Sequence, residues 1–221
     1  MDCVCGQKAV YQGSGRSLCK THFLDAVEKK VERTIKDFDL IKKGDNVCVA
    51  ASGGKDSLVA LFLVKKYADP LGIPVFALAV DEGIAGYREH TLSDLRTFCG
   101  HLKIPLHFVS FKENYGKTLD EIHEKALKQF GKKPCTVCGV FRRASLNRKA
   151  RELGATKLVT GHNLDDESQS FLMNVLLGNM SHNASLGPIT GLQEREGFIQ
   201  RVKPLYFVTE KETRLYEGLQ N

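Results

Sequence analysis

The chain has 221 residues, 42% of them hydrophobic, and its 32 basic and 26 acidic residues give a net charge of +6 and a pI near 8.9. That length supports one substantial core and leaves little room for a second full domain, while the modest basic excess admits an acidic partner without requiring one. The longest apolar run, Leu58 to Val64, is far short of the ~20 residues that span a bilayer, and Met1-Asp2-Cys3-Val4-Cys5 lacks the basic start and apolar stretch of a signal peptide. A cytoplasmic protein with no membrane partner is therefore expected, and its seven cysteines should be reduced, serving as metal ligands or reaction centres instead of disulfides.

Residues 1–23 are Gly-rich and too few for a core of their own. Cys3, Cys5, Cys19 and His22 form a plausible tetrahedral zinc set, and a metal would supply the missing stability. The C-x-C spacing of the first pair is shorter than the usual zinc-knuckle spacing. Residues 24–45 read as a connector: Phe23, Val27, Val31, Ile35 and Phe38 recur at helical spacing and form an apolar stripe that packs on the main domain.

Residues 46–221 alternate strand and helix. Strand-like runs are Asn46 to Ala51, Pro74 to Asp81, Leu106 to Phe111, Thr156 to Gly161, and a weaker one from Ile199 to Phe207 that Pro204 interrupts. Between them lie the helical runs Asp56 to Tyr67, Arg88 to Leu102, Leu119 to Phe130, Gly139 to Leu153 and Asp165 to Leu177. Thr118 with Glu121 forms a capping box for the third of these, and Thr209 with Glu212 forms one for a last helix. The fold class is α/β, a doubly wound parallel sheet with ligands at the carboxyl ends of its strands. Cys48 and Cys99 fall within apolar patterns and read as core.

Ser52-Gly53-Gly54-Lys55-Asp56-Ser57 stands where the first strand gives way to a helix. Paired glycines permit a tight turn and close approach of a ligand, the helix N-terminus offers unpaired N-H groups to an anion, Lys55 adds positive charge, and Ser52 and Ser57 add hydroxyls. The spacing is not that of the P-loop. It resembles the pyrophosphate loop, SGGxDS, of the ATP pyrophosphatases, which cleave ATP between its α and β phosphates.

Pro134-Cys135-Thr136-Val137-Cys138-Gly139 is expected on the loop that opens the next helix. Its C-x2-C pair fits half a zinc site, a redox dithiol or part of an iron-sulfur cluster, and the helix N-terminus with Arg142 should favour the thiolates. Lys132, Lys133, Arg142, Arg143, Arg148, Lys149 and Arg151 face the single acid Glu152, a bias that reads as a phosphate-backbone patch. Gly161-His162-Asn163-Leu164-Asp165-Asp166 is a second strand-to-helix junction. Asp165 suits the cap, Asp166 a role in holding Mg²⁺ on ATP phosphates or accepting a proton, and His162 either a structural bond or catalysis.

Together, SGGKDS, VDEGIAGYRE, CTVCGVFRR, GHNLDD and the N-terminal Cys/His set resemble the tRNA 2-thiouridine synthetases over essentially the whole chain. That resemblance implies that Cys135 and Cys138 ligate a four-iron, four-sulfur cluster with a third cysteine beyond Asn221, where a second zinc ribbon would also lie. It further implies that the uridine 2-oxygen attacks the ATP α-phosphate and that sulfur then displaces AMP. Lys55 and the loop amides would neutralise the pyrophosphate, Asp56 and Asp166 would organise Mg²⁺ or the nucleotide, Arg142 would face the phosphates or the activated base, and backbone at Ala50, Val80 and Gly161 would flank the adenosine. The implied partners are tRNA, a sulfur donor (sulfide or a ubiquitin-like sulfur carrier), and a second copy or a paralogue. VFRR and DEGIAGYRE favour the wobble uridine; the alternatives are the T-loop uridine, another ligase of the superfamily, and a non-catalytic tRNA-binding subunit. The last helical pattern stops at Asn221, so either that helix is short or the chain is a fragment.

Overall fold

Apolar runs rich in Val, Ala and Leu pair in parallel at the centre of the computed structural model. It describes residues 2–13, 15–84, 88–122, 134–191 and 197–220, with 88–90 and 134–137 described by their backbone. The elements are β1 (Tyr11–Gly13), β2 (Arg16–Leu18), α1 (Lys20–Asp37), β3 (Val47–Ala50), α2 (Lys55–Ala68), β4 (Val75–Asp81), α3 (Arg88–His101), β5 (Leu106–Ser110) and α4 (Phe111–Tyr115). They continue as α5 (Pro134–Glu152), β6 (Lys157–Val159), α6 (Leu164–Leu176), α7 (Met180–Asn183), β7 (Ile189–Thr190), β8 (Gln200–Val202) and α8 (Glu210–Gln220).

The main sheet runs β5-β4-β3-β6-β8-β7, parallel throughout except for β7 against β8. From β3 the chain winds outward through β4 and β5, then returns to the other side of β3 for β6 and β8. That reversal opens a crevice at the carboxyl ends of β3 and β6. Side-chain alternation divides the core. Val47, Val49, Ala77, Ala79, Val159 and Val202 pack with α1, α2 and α3, whereas Cys48, Phe76, Leu78, Val80 and Leu158 pack with Leu146 and Ala150 of α5. Among the described residues, no helix is long and apolar enough to cross a membrane.

Several boundaries differ from expectation. The last strand is only Gln200–Val202, because Pro204 has no donor and Lys203 N already bonds to Pro188 O. Phe111 opens α4, where Ser110 caps Lys112 N at 3.1 Å, instead of ending β5. Phe38 leaves the apolar stripe: α1 stops at Asp37, and Phe38 is 38% exposed against Phe207 at 5.9 Å between ring centroids. Most of the run Leu119 to Phe130 lies outside the described residues. Both capping boxes form: Thr118 N to Glu121 Oε2 is 3.0 Å, and Thr209 N to Glu212 Oε2 is 2.8 Å. On α6 and α7, Phe171, Leu172, Met173, Leu176, Leu177 and Met180 are exposed.

Candidate active site

The phosphate loop packs against α3 and the end of β6. Gly53 has φ +83°, and a Cβ there would meet Thr91 O at 2.7 Å, so conformation and space both require glycine. Ser57 Oγ donates to Gly54 O at 2.7 Å and accepts from Ser52 N at 3.1 Å, bracing the turn while Gly54 starts α2 without a side-chain cap. The first α2 amides therefore stay available to an anion. At the end of β6, a Cβ on Gly161 would lie 2.9 Å from Ser57 N. Only glycine lets the end of β6 approach the first turn of α2 so closely.

Asp56 is the hub of this junction. Its Oδ1 accepts from Asn163 Nδ2 at 3.3 Å and Thr213 Oγ1 at 2.5 Å, and its Oδ2 meets Lys55 Nζ at 2.9 Å. Lys55 Nζ also pairs with Glu210 Oε1 at 3.0 Å, which turns its charge toward α8. The α6 cap is Asn163, not Asp165: its side chain accepts from Asp165 N and Asp166 N, while Asp166 Oδ2 returns a bond to Asn163 N at 3.0 Å. A capping box needs an acceptor three residues into the helix, which is the position of Asp166. Asp165 Oδ2 instead receives Glu210 N at 2.7 Å.

The crevice holds a cavity of about 750 Å³. Of the residues singled out from the sequence, it gathers Ala50, Ser52, Asp56, Ser57, Val80, Gly161 and Arg142; Gly53, Gly54, Lys55, Asp166 and Cys138 are not on its wall. His162 lines it and meets Thr160 Oγ1 at 2.9 Å; crowding by the wall and the Lys203 ammonium hold its imidazole below the usual range although the ring keeps solvent access. Arg143, Arg201 and Lys203 also line the cavity and were not singled out as site residues. The period-2 cations Arg201 and Lys203 in an otherwise apolar strand were the available signal.

The cysteine pair is helical, not on a loop. Pro134 starts α5, where its missing N-H costs nothing, so Cys135 and Cys138 stand in the first turns. The side chain of Cys135 lies outside the described residues. Cys138 is buried, and Arg142 Nη2 donates to its sulfur at 3.2 Å while Arg142 Nε pairs at 2.8 Å with the fully buried Glu82. The expected basic patch is partly engaged within the fold: Lys149 pairs with Glu152, Arg151 bonds to Gly197 O, and Arg148 lies over the Tyr115 ring.

At the N-terminus, the ligand atoms of Cys3, Cys5, Cys19 and His22 all lie within 4.8 Å of one another. Cys3 Sγ to His22 Nδ1 is 3.1 Å, and Cys5 Sγ to Cys19 Sγ is 3.6 Å, spacings that suit a tetrahedral ion with ligands at ~2.0–2.3 Å. The Cys5 backbone and His22 hold the Cys3 thiol down to about 6. Burial pushes Cys48 up to about 12 and Cys99 up to about 11, as core thiols.

Residues 24–220 match the family model described as a PP-loop domain. The chain is 41% identical over 206 residues to cytoplasmic tRNA 2-thiolation protein 1 of Danio rerio and 42% identical over 208 residues to that of Xenopus laevis, in each case covering 92% of this chain and 59% of the relative. It thus spans less than two thirds of those relatives. The U34-tRNA thiolase NcsA from Methanococcus maripaludis, solved with its 4Fe-4S cluster, superposes with a TM-score of 0.84 at 34% identity, covering 100% of this chain and 72% of that one. With the loop, the reversed strand order and this match in hand, the chain belongs to the PP-loop domain family.

Proposed function

We propose that this chain is the ATP-binding and uridine-activating part of a cytoplasmic enzyme that forms 2-thiouridine in tRNA, with the wobble uridine as target. The observation that carries the reading is one cavity shared by the phosphate loop and Arg142, whose guanidinium touches Cys138. Relatives named for tRNA 2-thiolation and a U34-tRNA thiolase support it. The division into a zinc ribbon (1–23), a connector (24–45) and a PP-loop domain (46–221) belongs to the same proposal.

ATP would lie with its adenosine along Ala50, Val80 and Gly161 and its phosphates on Ser52, Gly53, Gly54 and Ser57. Attack of the uridine 2-oxygen on the α-phosphate releases pyrophosphate and forms an O-adenylate; sulfur then bonds to C2 as the C2–O bond breaks and AMP departs. The α2 amides offset the pyrophosphate charge, and Asp56 and Asp166 would organise Mg²⁺. Lys55 would hold Asp56 in place, and Arg142 would face the developing charge. The four N-terminal ligands fit Zn²⁺. Cys135 and Cys138 would give two thiolates to a four-iron, four-sulfur cluster, which when bound offers iron for sulfide; two thiolates alone do not hold such a cluster.

The sulfur donor, sulfide or a ubiquitin-like carrier, and a second copy or paralogue complete the proposal. The decisive experiment incubates the full-length protein, reconstituted anaerobically with the implied third cysteine present, with ATP, sulfide and tRNA, then detects thiolated tRNA by its retardation in mercury gels. ATP-dependent thiolation lost when U34 is replaced supports the reading; thiolation that survives the replacement moves the target to the T-loop, and none at all sinks it.

A further inference from the structure

Two guanidiniums in the cavity have no part in that chemistry. Arg143 on α5 and Arg201 on β8 both line it, and among the described residues no carboxylate closes an ion pair with either. The carboxylates on the described wall are already engaged: Asp56 with Lys55, and Glu167 with Lys203 at 2.7 Å.

Topology puts both cations on one side of the sheet. Arg201 registers with Leu158, which registers with Cys48, the face that packs on α5. Arg143 folds back over the start of α5, its Nη1 3.5 Å from where a Gly139 Cβ would stand. Burial and the positive field of Arg143 hold Arg201 below the ordinary arginine range, as expected of two cations on one cavity wall. Thr190, paired with Arg201 across β7 and β8, adds a hydroxyl on the same wall.

This place is separate from the phosphate loop. β8 is two strands from β3, about 10 Å sideways, and Arg201 registers four positions before Ser52, about 13 Å back along the strand at ~3.3 Å per residue. A phosphate seated on the α2 amides does not reach it. Guanidinium forks match phosphate oxygens in a bidentate manner. An RNA base must leave its stack to enter a cavity, and the nucleotide then brings a phosphate on either side.

We infer that Arg143 and Arg201 form a second phosphate site, which holds a phosphodiester of the RNA strand beside the nucleotide whose base enters the cavity. The inference rests on tRNA as the substrate.

The test measures binding of fluorescein-labelled anticodon stem-loop RNA by anisotropy across a potassium chloride series, and binding of MANT-ATP, for wild type, Arg143→Gln, Arg201→Gln and the corresponding Lys variants. Each Gln variant should bind RNA more weakly, with the slope of log Kobs against log salt reduced by about 0.7. Lys variants should regain the slope, and MANT-ATP affinity should not change. Unaltered slopes in both Gln variants, with wild type binding RNA normally, overturn the inference and leave the tRNA reading standing. Lost MANT-ATP affinity with unaltered RNA slopes overturns it by assigning the pair to ATP phosphates. If wild type itself does not bind the RNA, the tRNA reading falls and the inference falls with it.

Discussion

Thr213 Oγ1 donates to Asp56 Oδ1 at 2.5 Å, joining the last helix of the chain to the first turn of the phosphate-loop helix. Thr213 is fully buried and Asp56 is shared with Asn163 and its neighbour Lys55, so two segments distant in sequence help to fix one carboxylate. Thr213→Val keeps the shape and removes the donor. It should cost about 1 kcal/mol in urea unfolding and weaken MANT-ATP binding. Intact stability and affinity together would show that Asp56 is set by the loop alone.

Arg142 and Glu82 form the second coupled pair. Removing the guanidinium in Arg142→Ala takes its ion pair from a carboxylate with 0% exposure, which should lower stability by about 2 kcal/mol in chemical denaturation. Glu82→Gln in the Arg142→Ala background should recover part of that loss. A double variant as unstable as the sum of the single variants would mean that the pair is not coupled.

Cysteine reactivity should sort by environment. With Cys48 raised to about 12 and Cys99 to about 11, both stay protonated at pH 8 and should resist DTNB until the protein is denatured. Cys3 has the opposite sign. Its folded value of about 6 lies below the ordinary 9.0, so the stabilisation is complete above pH 9 and is lost as pH falls through about 6. Zn²⁺ at the proposed Cys3, Cys5, Cys19 and His22 site should be released to a chromophoric chelator on acidification, because protons then compete for its thiolate ligands. Metal release with no dependence on pH would show that these thiolates do not hold it.

Cys135 and Cys138 should separate the two half-reactions, because they belong to α5 while the proposed seat of the nucleotide phosphates is the α2 turn. Cys135→Ser and Cys138→Ser should lose both sulfur insertion and the iron-dependent visible absorbance of the reconstituted protein, yet bind MANT-ATP as wild type does. Normal thiolation in both variants would remove the cluster from the proposal.

Charge on the outer part of α5 should serve tRNA binding. Replacing Arg148, Lys149 and Arg151 together by Gln should lower the salt slope by roughly 0.7–0.9 for each phosphate no longer neutralised. Because Glu152, Gly197 O and the Tyr115 ring already engage these side chains, the drop should fall short of the full effect of all three charges. An unchanged slope would place the RNA backbone elsewhere.

Local geometry was legible in the sequence. Gly53, Ser52 and Ser57 point to a tight strand-to-helix turn because glycine takes the positive φ and a helix start leaves its first amides unpaired, and the cluster of Cys3, Cys5, Cys19 and His22 was readable because their side chains share one ligand chemistry. Continuous apolar runs at Val47 to Ala50 and Val75 to Val80, separated by helical runs, pointed to a parallel sheet covered on both faces. Neighbours brought by the fold lay beyond it. The engagement of Lys55 by Glu210, the assignment of the cap to Asn163 with Asp166 as its return bond, and the meeting of Arg143 with Arg201 depend on which strand lies beside which. Local pattern encodes a turn or a stripe within a few residues; pairing β6 and β8 beside β3, and so choosing the partners of each charge, is decided by the packing of two core faces at long range.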